Sequence, residues 1–172
     1  TDWLSNYFNS PIKFWSSLEQ NFRTISFQVI SVFTTTGFGT EDISQDFSDR
    51  LSFTQQVLIS RKFNEKLSLE LMPTFFHEGY VDFPGQDPAQ FALGFGGRYK
   101  LGKRWSLNVD YGWHLNRAAG SPFVNPLSIG VDIETGGHVF QLHLTNAQPS
   151  FERGFLGNAV GNWGEGMIYL GF

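Results

Sequence analysis

Between residues 91 and 146 the chain alternates, one residue at a time, between two chemistries. Phe91, Leu93, Phe95, Tyr99 and Leu101 interleave with Ala92, Gly94, Gly96, Arg98 and Lys100. Trp105, Leu107, Val109, Tyr111, Trp113 and Leu115 interleave with Ser106, Asn108, Asp110, Gly112 and His114. Leu127, Ile129, Val131 and Ile133 interleave with Ser128, Gly130, Asp132 and Glu134, and Phe140, Leu142 and Leu144 with Gln141, His143 and Thr145. Successive strand residues point to opposite faces, so this stretch predicts four consecutive strands, each with one aromatic, apolar face and one polar, charged face. A soluble barrel keeps a dry interior and a charged exterior. Aromatic outside and charged inside is the pattern of a transmembrane β-barrel.

Composition agrees with that constraint. The chain has 172 residues, enough for one domain, and aromatic residues make up 17% of it. Mean hydropathy is only −0.19, because alternation hides a barrel's membrane signal. No apolar run approaches the roughly 18 residues of a membrane-spanning helix. The formal net charge of −4 argues against a nucleic-acid partner. The absence of cysteine excludes disulfides, thiolate metal sites and a cysteine nucleophile. The first residues lack a basic start followed by an apolar core, and the chain opens on Thr1. The expectation is therefore a mature or incomplete chain.

Two further strands precede the four. In 51–63, Leu51, Phe53, Val57 and Ile59 face one way and Ser52, Thr54, Gln56, Ser60 and Lys62 the other. In 67–78, Leu67, Leu69, Leu71 and Phe75 oppose Ser68, Glu70 and Thr74, and Pro73 suggests a bulge or a sheet edge because it cannot donate to the ladder. A last strand is expected in MIYLGF, with Ile168, Leu170 and Phe172 on one face. The connections alternate short and long. An up-and-down meander gathers the short ones at one end, as in outer-membrane barrels with short periplasmic turns. The terminal alternation ending on Phe172 resembles the assembly signal of such barrels.

The N-terminal part reads differently. Pro11, Phe14, Trp15, Leu18 and Phe22 fit a short amphipathic helix over 11–22. Residues 23–35 fit a strand in part, with Ile25, Phe27, Val29 and Phe33 on one face, but Ile30 and Val32 break the alternation. The run FQVISVFTTTGFGTED resembles the pore helix and selectivity filter of the Trk/Ktr/HKT potassium-transporter superfamily. That resemblance implies filter positions at Thr35, Thr36, Gly37 and Phe38, whose backbone carbonyls would replace the hydration shell of potassium. One such segment cannot form a ring, so no potassium conductance is expected.

Residues 46–172 resemble an uncharacterised β-barrel family of Gram-negative outer membranes, a domain of unknown function. The matching runs are DFSDRLSFTQQVLISRKF, FALGFGGRYKL, PLSIGVDIETGGHVFQLHLTN and NWGEGMIYLGF. Residues 44–50, SQDFSDR, are polar and turn-like, and composition and pattern change there together, so a seam is expected at that run; the two resemblances fall on either side of it. They divide the chain into a pore-like segment at 1–45 and a barrel domain at 46–172, as in a composite or truncated reading frame. The fold expected is all-β, an antiparallel up-and-down transmembrane meander of about seven or eight strands with a short helical or irregular N-terminal segment. Its edges would lie at 51–63 and 167–172, and an unclosed sheet is favoured over closure by 23–35.

The inward charges are Glu70, Arg98, Lys100, Asp110, His114, Asp132, Glu134 and His143. Both signs occur on neighbouring strands, and buried charges need partners, so they predict a lumen-lining salt-bridge network. A transport path or small-ligand site is the next reading. His77, Glu78 and His114 fall at the rim of the long loops, where a hydrolase could place a general base and its orienter. His114, His143 and Asp110 lack metal-ligand spacing. The sequence therefore leads us to expect no enzyme, no cofactor and no metal. The partners expected are the lipid bilayer and the outer-membrane assembly machinery, in a Gram-negative outer membrane. A potassium-transporter fragment, a soluble lipocalin-like barrel and a rim hydrolase are the alternatives.

Overall fold

The computed structural model describes residues 25–35, 51–81, 83–149 and 151–171. Eight strands form one sheet in the order of the chain. They are β1 (Ile25–Thr35), β2 (Leu51–Lys62), β3 (Leu67–Glu78), β4 (Ala89–Lys100), β5 (Trp105–His114), β6 (Leu127–Thr135), β7 (His138–Thr145) and β8 (Tyr169–Gly171). Every neighbouring pair is antiparallel. No helix among the described residues is long and apolar enough to cross a membrane.

Burial follows the predicted alternation, inverted relative to a soluble barrel. Ser52, Thr54, Gln56 and Ser60 of β2 are buried, as are Glu70, Thr74 and Glu78 of β3 and Arg98, Ser106 and Asp132 further on. The apolar face lies open: Phe27 is 69% exposed, Phe33 71% and Trp105 50%. Aromatic rings gather at both ends of that face. Phe33, Phe53, Phe75 and Phe91 form a row across four strands, with centroids 6.2, 5.8 and 5.1 Å apart. Phe63, Tyr99, Trp105 and Phe140 are exposed near the short turns. The step from Trp105 to Trp113 along β5 is roughly 26 Å before strand tilt, comparable with an apolar band of about 25 Å between aromatic girdles.

The short connections lie at 63–66, 101–104 and 136–137. The Asn64 side chain accepts from Lys66 N and Leu67 N, both at 2.8 Å, and closes the first turn. Gly136 and Gly137 close the third with φ of 56° and 124°, a region that side chains rarely enter. The long connections at 79–88, 115–126 and 146–168 meet at the other end. Gln86 links two of them, donating from Nε2 to Asn116 O at 3.0 Å and accepting at Oε1 from Ala118 N at 2.8 Å. Asn146 links the others, donating to Asn125 O and Gly161 O.

Three expectations are corrected. Residues 25–35 pair with β2 along their whole length, from Ile25–Arg61 to Thr35–Leu51, so the pore-like segment contributes a strand. Ile30, which breaks the apolar alternation, turns inward onto the lumen wall. Pro73 makes neither an edge nor a bulge. β3 is a central strand, and its register with β2 is the same before and after the proline: pairing passes from Gln56–Thr74 to Ile59–Leu71 and omits the two positions between. The missing donor thus interrupts the ladder on one side without shifting it, while Pro73 keeps its pairing with Leu93. The last strand begins at Tyr169, because Met167 N and Ile168 N are taken by the turn carbonyls of Asn162 and Gly166. The helix expected over 11–22, the filter-like Thr36, Gly37 and Phe38, the seam at 44–50 and Phe172 lie outside the described residues.

β1 pairs with β2, and among the described residues no pairing joins β1 to β8. The sheet is curled without being closed. Gln28 and Ile30 of β1 and Gln141 and His143 of β7 line one and the same cavity.

Candidate functional site

A short helix sits at the long-connection end of the lumen. α1 (Glu152–Gly157) leaves the connection between β7 and β8 and packs into the mouth of the curled sheet. Leu156 is 3% exposed and packs with Phe76 and Ala92, flanked by Phe155. Burying a leucine to that extent contributes about 1.5–3 kcal/mol. The wall is shaped to receive it: a Cβ on Gly112 would lie 2.6 Å from Leu156 Cδ2 and 2.7 Å from Pro126 Cγ.

Two arginines pin the helix. Arg153 ion-pairs through Nη1 with Glu78 Oε1 at the end of β3. Arg117, from the connection between β5 and β6, donates to the carbonyl oxygens of Gly157 at 2.9 Å, Leu156 at 3.3 Å and Val124 at 3.2 Å. Terminal helix carbonyls have no partner within the helix, and a fork of N–H donors satisfies them. Burial pulls the Arg117 guanidinium below its ordinary value.

A polar chain runs alongside the helix. Gln90 donates from Nε2 to Glu78 Oε2 at 2.5 Å and meets His114 Nε2 through its Oε1 at 2.8 Å. Phe76 packs edge-on to the His114 ring, with centroids 5.6 Å apart. His77 does not join them. It lies on the opposite face of β3, stacked on the Phe53 ring at 5.3 Å. The rim constellation of His77, Glu78 and His114 is therefore not assembled on one face.

Beneath α1 lies a cavity of about 330 Å³. Glu70, Asp110, Asp132 and His143 line it together with Arg98, Asn108 and Gln56, and Leu58, Met72 and Phe155 form its apolar part. Glycines at 94 and 96 on β4 and at 130 on β6 give the facing side chains room: Met72 Cβ lies 3.0 Å, Asp110 Oδ1 3.2 Å and His143 Cβ 3.1 Å from where their Cβ atoms would stand. Arg98 anchors the end nearer the short turns. It donates to Ser106 Oγ at 3.0 Å and Glu134 Oε1 at 2.9 Å, and its Nε lies 3.7 Å from Asp132 Oδ2. Ser106 in turn donates to Asp132 Oδ2 at 3.3 Å.

The structure thus joins Arg98, Asp132 and Glu134 in one network and sets Glu70, Asp110 and His143 on the cavity wall. His114 belongs to the layer beside α1, and Lys100 lies at the short-turn end of β4 outside the cavity lining. Thr35 ends β1 as a strand residue paired with Leu51. Sequence reasoning did not find α1, Arg117 or Arg153. The one available signal was the length of the connection after 146, since long connections in compact domains are often functional.

Comparison with known proteins places the chain. No curated protein matches it, and no solved structure matches it. The family described as "Membrane bound beta barrel domain (DUF5777)" matches residues 5–172. That single match crosses the seam expected near 44–50 and covers the potassium-pore-like run, so a chimera of two membrane proteins is unsupported. The strands on either side of the seam pair in one sheet, consistent with a single origin. With an apolar outside, a charged inside and a family match over nearly its whole length, the chain belongs to the family of membrane-bound β-barrel domains.

Proposed function

We propose that this domain works in the outer membrane of a Gram-negative cell as a plugged barrel with a structural or transport-related role, its short turns toward the periplasm. The observation that carries the plugged reading is α1, held across the lumen mouth by Arg117 and Arg153 and by the packing of Leu156. The gathering of all described short turns at one end supports the orientation. Exposure of the aromatic face favours a lipid-facing exterior over a lipocalin-like barrel. The reading is non-enzymatic, supported by His77 and Glu78 lying on opposite faces of β3. Its partners in this reading are the bilayer and the outer-membrane assembly machinery.

Planar-bilayer recording tests it. The purified chain should give at most rare, small openings, and a variant lacking 150–160 should give a steady conductance. A steady, large conductance from the unaltered chain would sink the plugged reading. Selective potassium flux abolished by Gly37→Ser would revive the potassium-pore alternative.

A further inference from the structure

Two carboxylates on the cavity wall have no counter-charge among the described residues. Glu70 on β3 and Asp110 on β5 stand in register on either side of Gly96, which puts no side chain between them. Among the described residues Arg98 is the one Lys or Arg of the cavity lining, and Asp132, Glu134 and Ser106 already engage it. Glu70 is only 7% exposed, and its Oε1 has no hydrogen-bond partner. Asp132 is 1% exposed, with Oδ1 likewise unpartnered, and Asn108 Nδ2 is buried without an acceptor. Buried polar atoms in folded proteins are nearly always partnered, and buried charges are paired. The two carboxylate oxygens among these orphans, Glu70 Oε1 and Asp132 Oδ1, mark a place built for a donor to complete.

The rest of the wall says what kind of guest. Glu152 of α1 adds a further carboxylate at the rim, so acids outnumber bases on the lining. Leu58, Met72 and Phe155 offer apolar surface a short distance from the acids. No three His, Asp or Glu side chains among the described residues are grouped to hold a metal ion. The cavity volume of about 330 Å³ falls at the small end of ligand sites. We infer that the cavity binds a small organic cation, an ammonium or guanidinium group carrying an apolar body. The charged head sits between Glu70 and Asp110, and the body lies against Leu58, Met72 and Phe155. This rests on the reading of the lumen as closed above by α1.

Calorimetry on the detergent-solubilised full chain tests the inference, with phenethylamine and benzylguanidine as probes and phenethyl alcohol as the uncharged control. Saturable binding of the cations is expected, with the alcohol weaker by about tenfold or more, the scale of a lost charge-assisted contact. Glu70→Gln and Asp110→Asn should each weaken amine binding while leaving the alcohol unchanged. Neither variant breaks an ion pair seen among the described residues, so folding should survive, and the amine–alcohol comparison needs no variant at all. Equal binding of amine and alcohol overturns the proposal. So does the absence of saturable binding, and so does displacement of the amine by an equal concentration of potassium or calcium chloride, which would assign the site to a metal ion. Bilayer recording separates the two readings. An open channel that still discriminates amine from alcohol removes the plug and keeps the site, whereas a closed channel without discrimination does the reverse.

Discussion

Arg117 donates from Nη1 to the carbonyl oxygen of Gly157 at 2.9 Å, across 40 positions of sequence. The bond ties the connection between β5 and β6 to the end of the helix in the lumen. Arg117→Ala removes it together with the bonds to Leu156 and Val124. The expected loss is roughly 1.5–3 kcal/mol in urea unfolding from micelles, with faster proteolysis of 147–166. Arg117→Lys should recover only part, because an ammonium cannot fork between carbonyls as a guanidinium does. Wild-type proteolysis rates in Arg117→Ala would show that the helix is held by packing alone.

Gly112 leaves the room into which Leu156 of the helix packs. Its missing Cβ would stand 2.6 Å from Leu156 Cδ2. Gly112→Ala should cost about 1–3 kcal/mol as overpacking and raise bilayer conductance by lifting α1. Adding Leu156→Ala should relieve the part of the clash made with Leu156, leaving that with Pro126 Cγ at 2.7 Å, so that the double variant loses less than the sum of the singles. If the double variant is no better than the sum of the two singles, the contact is not the cause.

Val109 and Asn108 are adjacent and face opposite media. Val109 points outward, midway between Trp105 and Trp113, and is 37% exposed. Val109→Arg should cost roughly 2–4 kcal/mol, the penalty of a cation near the bilayer midplane. Asn108→Arg should cost far less, because Asp110 and Asp132 share its cavity wall. Refolding into vesicles followed by urea titration compares them. Equal costs would mean that the two faces meet the same solvent.

The exchange of β1 amides reports whether the segment once read as a pore helix behaves as a strand. Its pairing with β2 is complete from Ile25 to Thr35. Amide exchange in detergent should be slowed at alternate positions of 25–35, those bonded to β2. Uniformly fast exchange there would remove β1 from the sheet.

Much of this fold was legible in sequence because the period of two fixes both the faces and their chemistry. Trp105, Val109 and Trp113 could face only one way once Asp110 and His114 faced the other. Residues 25–35 were harder, because Ile30 and Val32 break the strand alternation and the run resembles a pore helix and filter. Only pairing with β2 resolves it, and pairing is a tertiary fact. Pro73 misled for a similar reason: a rule about donors says where a bond is lost, but two intact flanks can hold the register across the gap. The cavity wall was visible as inward charge at Glu70, Asp110 and Asp132. Which of these would find a partner was not, because Arg98 reaches strands remote in the chain, as far as Glu134.

The order of the sheet has a consequence for how the protein comes into being. Every strand pairing joins chain neighbours, so hairpins can be added one after another without a long conformational search. The bonds that seat α1 are of another kind: Arg153 reaches Glu78 across 75 positions, and both must wait for the wall to which they attach. On the plugged reading, the domain is therefore expected to pass during insertion through a stage in which the strands are paired and α1 is not yet docked. A chain inserting into a voltage-clamped bilayer should carry a brief current that decays as the helix docks, and a current absent from the first moment would mean that helix and wall arrive together. On that reading, how well the lumen is sealed is a matter of timing during insertion as much as of the finished architecture.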